Sequence, residues 1–193
     1  MRNLYLCRHG ETSWNAEKRI QGRTDIPLSA CGLAQAQTLA RFFKTNPPQA
    51  TVVVTSPMVR ARQTAECIAQ ATGLDLIVQE DLTEIHTGIY TGKTYDFLAN
   101  DPRWQKHLQN PWEEGYGDEG ESAESVRTRV VRCLGLYEDA IFVSHASPIR
   151  HIIMHLLDIP HEHLYHIAID NAAVTHFTWH NGHVKLRYLN RHD

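Results

Sequence analysis

Short apolar runs that alternate with amphipathic segments of helical length constrain the fold of this chain more than any other feature. Four runs are too short for helices and indicate buried strands, at residues 3–7, 51–56, 74–80 and 140–145. The segments between them repeat apolar residues every three or four positions, as at residues 28–45 and 58–73. Strands that alternate with helices predict an α/β fold, a three-layer sandwich around a mainly parallel central sheet.

The ends of these segments carry local signals. Ser29 is placed to begin a helix and Gly73 to end one. Asn181-Gly182 between two strand-like runs indicates a hairpin, which adds an antiparallel edge to the sheet. Residues 84–121 hold five glycines and an acidic run, and we predict a lid or substrate loop with short helices there. We expect residues 1–193 to form one domain.

The bulk composition excludes several classes of function. A net charge of -3 gives no broad basic surface for nucleic acid, so an anionic ligand needs a local basic pocket. The four cysteines form no CxxC pair, which indicates reduced thiols rather than a disulfide or zinc framework. The first apolar run is too short for a signal sequence, and no stretch has the length of a membrane span. We therefore expect a cytoplasmic protein with a small-molecule ligand, and a homodimer is left open.

Polar side chains follow each predicted parallel strand at the point where the strand ends. In chain order they are Arg8 and His9, Arg60, Glu84 and His145. Ligands of open α/β sheets bind at the carboxyl ends of the strands, so these side chains are predicted to converge. Each alone has a structural explanation, as a solvated arginine or a hydrogen-bonded core histidine. Their agreement at four strand ends favours a functional site.

Arginine together with histidine indicates phosphate chemistry, because the guanidinium group is a permanently charged fork that matches phosphate oxygens. The chain has no GxxxxGK[ST] sequence and no GxGxxG after a strand, which excludes a P-loop and leaves a dinucleotide site unsupported. The strand ends also lack the clustered aspartates or histidines of a metal hydrolase. What remains is attack on phosphorus by a histidine nitrogen, without metal or cofactor, while arginines neutralise the phosphate charge.

Six sequence blocks make the chain resemble the histidine phosphatase superfamily, the phosphoglycerate mutase-like proteins. In order they are LCRHGETSWN, QGRTDIPLSACGLAQA, TSPMVRARQTAE, LTEIHTGIYTGKT, GESAESVRTRV and VSHASPIR. The resemblance spans residues 4 to about 190. It implies a phosphoglycerate mutase-like fold and metal-independent hydrolysis of a small phosphate monoester.

The resemblance also implies roles for single residues. His9 matches the nucleophile that becomes phosphohistidine, and Glu84 matches the proton donor. The residues matched to the phosphate pocket are Arg8, Asn15, Arg60 and His145, and those matched to the substrate entrance are Gln21 and Gly22. Ala146 stands where the family usually has glycine, and we expect it to alter the shape of the pocket. Gly10 is expected to let the backbone turn tightly beside the phosphate.

The same residues serve two activities in the family. A mutase must exclude water from the phosphohistidine and bind a substrate with a second anionic group, commonly through an arginine pair on a larger lid. The predicted lid here offers Lys93, Arg103 and Lys106 beside a strongly acidic run, and it has no Arg-Arg pair. This favours a phosphatase, with cofactor-dependent phosphotransfer of the phosphoglycerate mutase type as the alternative.

The lid is expected to set the choice of leaving group. Its aromatic residues either stack on an apolar or ring-bearing leaving group or form a small core of the lid itself. These residues are Tyr90, Trp104, Trp112 and Tyr116.

Two further hypotheses compete with an active phosphatase. The first is a metal-binding module, because His151 and His155 stand one helical turn apart, with His161, His163 and His166 nearby. No neighbouring cysteine or carboxylate clearly completes such a site. The second is a catalytically inactive relative that only binds phosphorylated ligands, and the intact set of residues at the strand ends argues against it.

Overall fold

The structure, a computed structural model, describes residues 2–116 and 119–192, without the side chains of residues 113 and 114. Positions 117 and 118 of the predicted lid therefore lie outside the described residues. The strands are β1 (Arg2–Arg8), β2 (Val52–Thr55), β3 (Asp75–Val78), β4 (Ala140–Ser144), β5 (Val174–His180) and β6 (His183–Arg191). The helices are α1 (Ser13–Ala16), α2 (Ala30–Thr45), α3 (Val59–Thr72), α4 (Tyr95–Leu98), α5 (Pro102–Gln109), α6 (Pro111–Glu114), α7 (Ala123–Leu134) and α8 (Ala146–Leu157). No helix among the described residues is long and apolar enough to cross a membrane.

One sheet contains these strands in the order β3-β2-β4-β1-β5-β6. Strands β3, β2, β4 and β1 run parallel, whereas β5 lies antiparallel to β1 and β6 antiparallel to β5. The hairpin turn between β5 and β6 has Asn181 at φ 49° and Gly182 at φ 79°, the left-handed backbone that a type I′ turn requires. The predicted α/β fold with a mainly parallel sheet and an antiparallel edge is confirmed.

Alternate residues of β1 face opposite layers of helices. Leu4 and Leu6 pack in one core with α7 and α8, whereas Tyr5 and Cys7 pack in another with α2 and α3. Both faces of the sheet are covered, which explains why the central strands are apolar at nearly every position. This three-layer arrangement brings the carboxyl ends of the parallel strands to one edge of the sheet.

Two glycines hold the loop after β1 against the first turn of α2. A Cβ atom on Gly10 would clash with the carbonyl oxygen of Gly32, and one on Gly32 would clash with that of Glu11. Neither glycine has a positive φ. Gly10 is therefore required for close backbone packing, and its backbone is not in the left-handed region.

Helix ends follow their local signals. The Oγ of Ser29 accepts the N–H of Gly32 at 3.0 Å at the start of α2. Gly73 ends α3 in the left-handed region at φ 74°. Both predictions are thus confirmed.

The predicted lid segment forms the short helices α4 to α6 around a small core. This core contains Ile20, Tyr90, Leu98 and Trp104. The rings of Tyr90 and Trp104 meet edge to face with their centroids 5.1 Å apart. These two aromatic residues therefore stabilise the lid segment itself.

Candidate active site

A cavity of about 280 Å³ opens at the carboxyl edge of the sheet, beneath the lid helices. The sequence-predicted residues on its wall are Arg8, His9, Asn15, Gln21, Gly22, Arg60, Glu84 and Ala146. His145 lies behind this wall in the protein interior, where it is fully buried. The structure thus brings all the predicted residues to one region, although it places His145 one layer deeper than the others.

The hydrogen bonds of His9 distinguish its two ring nitrogens. Nδ1 lies 2.7 Å from the carbonyl oxygen of Gly10, and because a carbonyl only accepts, the proton is on Nδ1. Nε2 then carries the lone pair, and it accepts a hydrogen bond from Nε of Arg60 at 3.3 Å. Burial, followed by the charges of Arg60 and Arg8, holds the pKa of His9 well below its ordinary value. His9 is therefore neutral at physiological pH, with its nucleophilic nitrogen directed at an arginine.

Arg60 is fixed by backbone carbonyls of the loop before α2. Its Nη1 donates to Thr24 at 2.8 Å and its Nη2 to Gly22 at 2.9 Å. Gly22 has φ 51°, and a Cβ atom there would clash with the side chain of Thr87, so only glycine fits. Burial lowers the pKa of Arg60 to about 10, which still leaves it cationic at neutral pH. A rigid positive charge therefore lies beside the nucleophile.

Arg8, at the end of β1, supplies a second charge with an unused donor. Its Nη1 donates to the carbonyl oxygen of Ile169 at 2.6 Å. Its Nε is buried and has no hydrogen-bond partner among the described residues. A buried N–H group without an acceptor is costly, and an anionic oxygen in the cavity would satisfy it.

His145 precedes α8 and contacts the ring of His9, with the two ring centroids 5.0 Å apart. Its Nε2 lies 2.8 Å from Oγ of Ser56, and its buried Nδ1 has no partner in the described part of the chain. Burial, then the charge of Arg60, holds the pKa of His145 well below its ordinary value. His145 is therefore neutral and packs against the ring of His9 from the protein interior. A contact between His145 and phosphate stays a prediction.

Asn171 is a site residue that the sequence reasoning missed. Its Nδ2 donates to the carbonyl oxygens of His9 at 3.1 Å and Gly10 at 3.3 Å, and to Oδ1 of Asn15 at 3.2 Å. Oδ1 of Asn15 also accepts the backbone N–H of Thr12 at 3.1 Å. The amide NH2 group of Asn15 thus remains for a ligand. Since β5 is antiparallel, the residues before it lie at the carboxyl edge of the other strands, and that signal could have found Asn171.

Glu84 and Ala146 both line this cavity. Glu84 lies in the segment after β3, and Ala146 lies at the start of α8. One carboxylate oxygen of Glu84 accepts the backbone N–H of Ile85 at 2.9 Å. Ala146 is the first residue of α8 and does not have a positive φ. Its methyl group therefore narrows the cavity without backbone strain.

Two further arginines, also missed from the sequence, line the cavity from outside the lid. Arg19 pairs with Glu17 at 3.0 Å. Arg150 on α8 donates from Nε to the carbonyl oxygen of Ile167 at 2.8 Å, and the structure assigns no hydrogen bond to its terminal nitrogens within the described residues. Burial lowers the pKa of Arg8, Glu84 opposes that effect, and the charge of Arg150 adds to it. Arg150 thus adds a further positive charge to the wall of the cavity that Arg8 and Arg60 line.

The lid aromatic residues differ in where they lie relative to the cavity. Trp104 and Tyr116 line the cavity and also pack in or against the lid core. Trp112 lies outside the cavity and stacks on His161, with centroids 4.7 Å apart. For the histidine-rich last third, the described residues contain no group of three or more side chains placed to hold a metal ion.

Comparison with known proteins agrees with this geometry. A protein named probable phosphoglycerate mutase GpmB, from Enterobacter sp. (strain 638), is 34% identical over 182 residues, covering 91% of this chain and 84% of that protein. The solved phosphoserine phosphatase of Entamoeba histolytica in complex with 3-phosphoglyceric acid superposes with a TM-score of 0.88 at 30% identity, covering 100% of this chain and 98% of that chain.

A mycobacterial glucosyl-3-phosphoglycerate phosphatase superposes with a TM-score of 0.84 at 26% identity, covering 98% of this chain and 99% of that one. The profile of the histidine phosphatase superfamily (branch 1) matches residues 4–192. The fold, the convergent residues and this match agree. The chain belongs to the histidine phosphatase superfamily.

Proposed function

We propose that this chain is a metal-independent phosphatase that hydrolyses small phosphate monoesters through a phosphohistidine intermediate on His9. One observation carries the proposal: His9 is buried and neutral, its Nδ1 proton is held by Gly10, and its Nε2 lone pair lies beside the cationic Arg60. A neutral imidazole lone pair is a nucleophile, and fixed arginine charges stabilise the negative charge of a transferring phosphoryl group.

In the first step the phosphate group binds between the guanidinium groups of Arg8 and Arg60 and the amide of Asn15. Nε2 of His9 gives up its hydrogen bond to Arg60 and attacks phosphorus in line with the ester bond. The N–P bond forms as the P–O bond breaks, and Glu84 gives its proton to the departing alcohol oxygen. The arginines keep their charges throughout, so they stabilise the transition state without proton transfer.

In the second step water attacks the phosphohistidine. Glu84, now ionised, takes a proton from this water as its oxygen bonds to phosphorus. The N–P bond breaks, and inorganic phosphate and neutral His9 are released. Each group ends in its starting protonation state, so the cycle needs no other reactant than water.

A mutase is the second candidate, and Arg150 is the observation that favours it. The cations of the predicted lid include no arginine pair for a second anionic group, but Arg150 on α8 adds a cation to the cavity wall. A mutase would pass the phosphoryl group from His9 back to a phosphoglycerate instead of to water. The relatives named probable phosphoglycerate mutase support this candidate, whereas the solved phosphatases with high structural similarity support hydrolysis.

A reducing compartment such as the cytoplasm suits this proposal. All four cysteines are free thiols. Cys7 and Cys133 are fully buried, and burial raises the pKa of Cys133 to about 12, so these two thiols stay protonated and unreactive.

The experiment that tests the proposal compares wild type with His9→Asn on p-nitrophenyl phosphate, phosphoserine and 3-phosphoglycerate. His180→Asn, a change at an exposed position in the hairpin, is the matched control. We expect inorganic phosphate from wild type and from the control, and none above background from His9→Asn. Isomerisation of 3-phosphoglycerate faster than phosphate release would assign the mutase activity, and activity retained by His9→Asn would exclude both candidates.

A further inference from the structure

A second cavity, of about 340 Å³, lies against α8 and shares no lining residue with the active-site cavity. Its wall includes Trp112, His151, Met154, His155, Pro160 and His161. Nothing in the proposed phosphatase mechanism uses these residues. The cavity therefore needs an explanation of its own.

His151 lines this cavity and carries a buried hydrogen-bond acceptor. Its side chain is only 2% exposed, and its Nδ1 donates to the carbonyl oxygen of Ser147 at 2.8 Å, one turn earlier on α8. Nε2, on the opposite edge of the ring, therefore carries a lone pair that points away from the helix. This atom has no hydrogen-bond partner among the described residues. Burial lowers the pKa of His151 to about 4, so the ring is neutral and accepts a hydrogen bond at physiological pH.

Part of the remaining wall is aromatic and apolar, beside the polar residues Arg127, His155 and Asp158. Trp112 stacks on His161 at 4.7 Å, and its ring lies 6.4 Å from that of His151 at an angle of 36°. Met154 and Pro160 add apolar surface beside these rings. Aromatic and thioether surfaces of this kind favour contact with flat rings.

We propose that this cavity binds a planar aromatic or heteroaromatic molecule that donates an N–H or O–H hydrogen bond to Nε2 of His151. The buried Nε2 of His151 needs a hydrogen-bond donor, and the rings of Trp112 and His161 favour contact with a flat molecule. A metal ion is disfavoured because no group of three ligating side chains exists among the described residues. Arg127 and Asp158 both line the cavity, so its wall carries charges of both signs and selects neither a cation nor an anion.

The occupant would contact two parts of the enzyme at once. Trp112 belongs to α6 in the lid segment, whereas His151 lies on α8 and bonds to Ser147, whose side chain lines the active-site cavity. The binding site therefore joins the lid to the helix that follows His145.

The test compares indole with 1-methylindole, two ligands of nearly the same shape of which only indole has an N–H donor. The chain has three methionines, so methyl-labelled methionine gives three NMR signals, and of the two described methionines Met154 lines this cavity whereas Met58 does not. We expect indole to shift the Met154 signal saturably while the signal of Met58, a buried residue directly before α3, stays unchanged. We expect 1-methylindole to bind about tenfold more weakly, the worth of one hydrogen bond to a buried acceptor.

Two variants complete the experiment. His151→Phe keeps the ring but removes the acceptor, so both ligands should bind it equally. Trp112→Leu, at a half-buried position, should weaken both ligands without changing their ratio. Equal binding of the two ligands to wild type, or no shift of Met154 with either, would overturn the proposal and leave a cavity that holds only water.

Discussion

Asn171 joins the backbone of His9 to the side chain of Asn15, so its replacement tests whether the nucleophile is held in place by a residue outside the predicted set. Asn171→Leu keeps the approximate size and removes two N–H donors. The three oxygens that lose these donors each keep another one. The carbonyl oxygen of His9 accepts the N–H of Ala172, that of Gly10 accepts the Nδ1 proton of His9, and Oδ1 of Asn15 accepts the N–H of Thr12. Every acceptor keeps a hydrogen bond, so the free energy of unfolding falls by about 1 kcal/mol for each donor removed, about 2 kcal/mol in all.

That free energy has two expected consequences. The free energy of unfolding should fall by about 2 kcal/mol, measured by urea denaturation. The backbone of His9 and the amide of Asn15 also lose a restraint, which lowers kcat/KM for p-nitrophenyl phosphate by at most about 30-fold, because about 1.4 kcal/mol corresponds to tenfold. The loss should appear in kcat, while ¹⁵N NMR of the His9 ring should still show the Nδ1–H form, because the hydrogen bond to Gly10 is kept.

Asn46→Leu is the matched control for this change. Nδ2 of Asn46 also has two acceptors, Phe42 O and Thr45 Oγ1, both at 3.1 Å, but it lies at the end of α2, away from the cavity. It should lower stability and leave kcat unchanged. An Asn171→Leu enzyme with normal kcat, or an equal loss of kcat in the control, would refute the positioning role.

Three further predictions concern the loop whose carbonyls hold Arg60, the folding stability at acid pH, and the binding of a second anionic group. Gly22→Ala forces a strained φ and a clash with Thr87, so it should move the carbonyl that holds Arg60 and reduce kcat/KM about tenfold or more. The pKa of His151 is about 4 in the folded protein, below its value of about 6.5 when unfolded. The contribution of His151 to folding stability is therefore fully present above pH about 6.5, and about 3 kcal/mol of it should be lost as pH drops to about 4, measured by urea denaturation of wild type against His151→Phe. Arg150→Gln should reduce kcat/KM for 3-phosphoglycerate about tenfold or more while leaving glycerol 3-phosphate, which lacks the carboxylate, within about threefold.

Each of these predictions has a contrary outcome. Normal activity of Gly22→Ala would mean that Arg60 does not depend on this carbonyl. A stability difference between wild type and His151→Phe that stays constant between pH 7 and pH 4 would contradict a buried, neutral His151. An equal effect of Arg150→Gln on the two substrates would remove Arg150 as a determinant of the second anionic group, without affecting the assignment of His9.

The features that depend on local chemistry were predictable from the sequence. Ser29 begins a helix, Gly73 ends one and Asn181 opens a hairpin because each residue type fits its backbone position whatever surrounds it. The convergence of Arg8 and Arg60 followed from a topological rule, since parallel strands place their carboxyl ends at one edge.

The features that depend on packing were not predictable. The depth of His145 behind His9 depends on how α8 docks on the sheet, which no local pattern encodes. Gly10 is small because Gly32 approaches it from a helix more than twenty residues away in the sequence. Arg150 reaches the cavity from the last third of the chain, where an isolated polar residue carries no signal of its partners.

The central claim is that Nε2 of His9 forms the covalent intermediate. The most direct measurement is to mix the enzyme with a ³²P-labelled phosphate monoester, quench in alkali, which preserves phosphohistidine, and identify the labelled residue and ring nitrogen after digestion. The account predicts label on His9 at Nε2, since Nδ1 is protonated and bound to Gly10. Label on another residue, label on Nδ1, or turnover without any labelled histidine would contradict it.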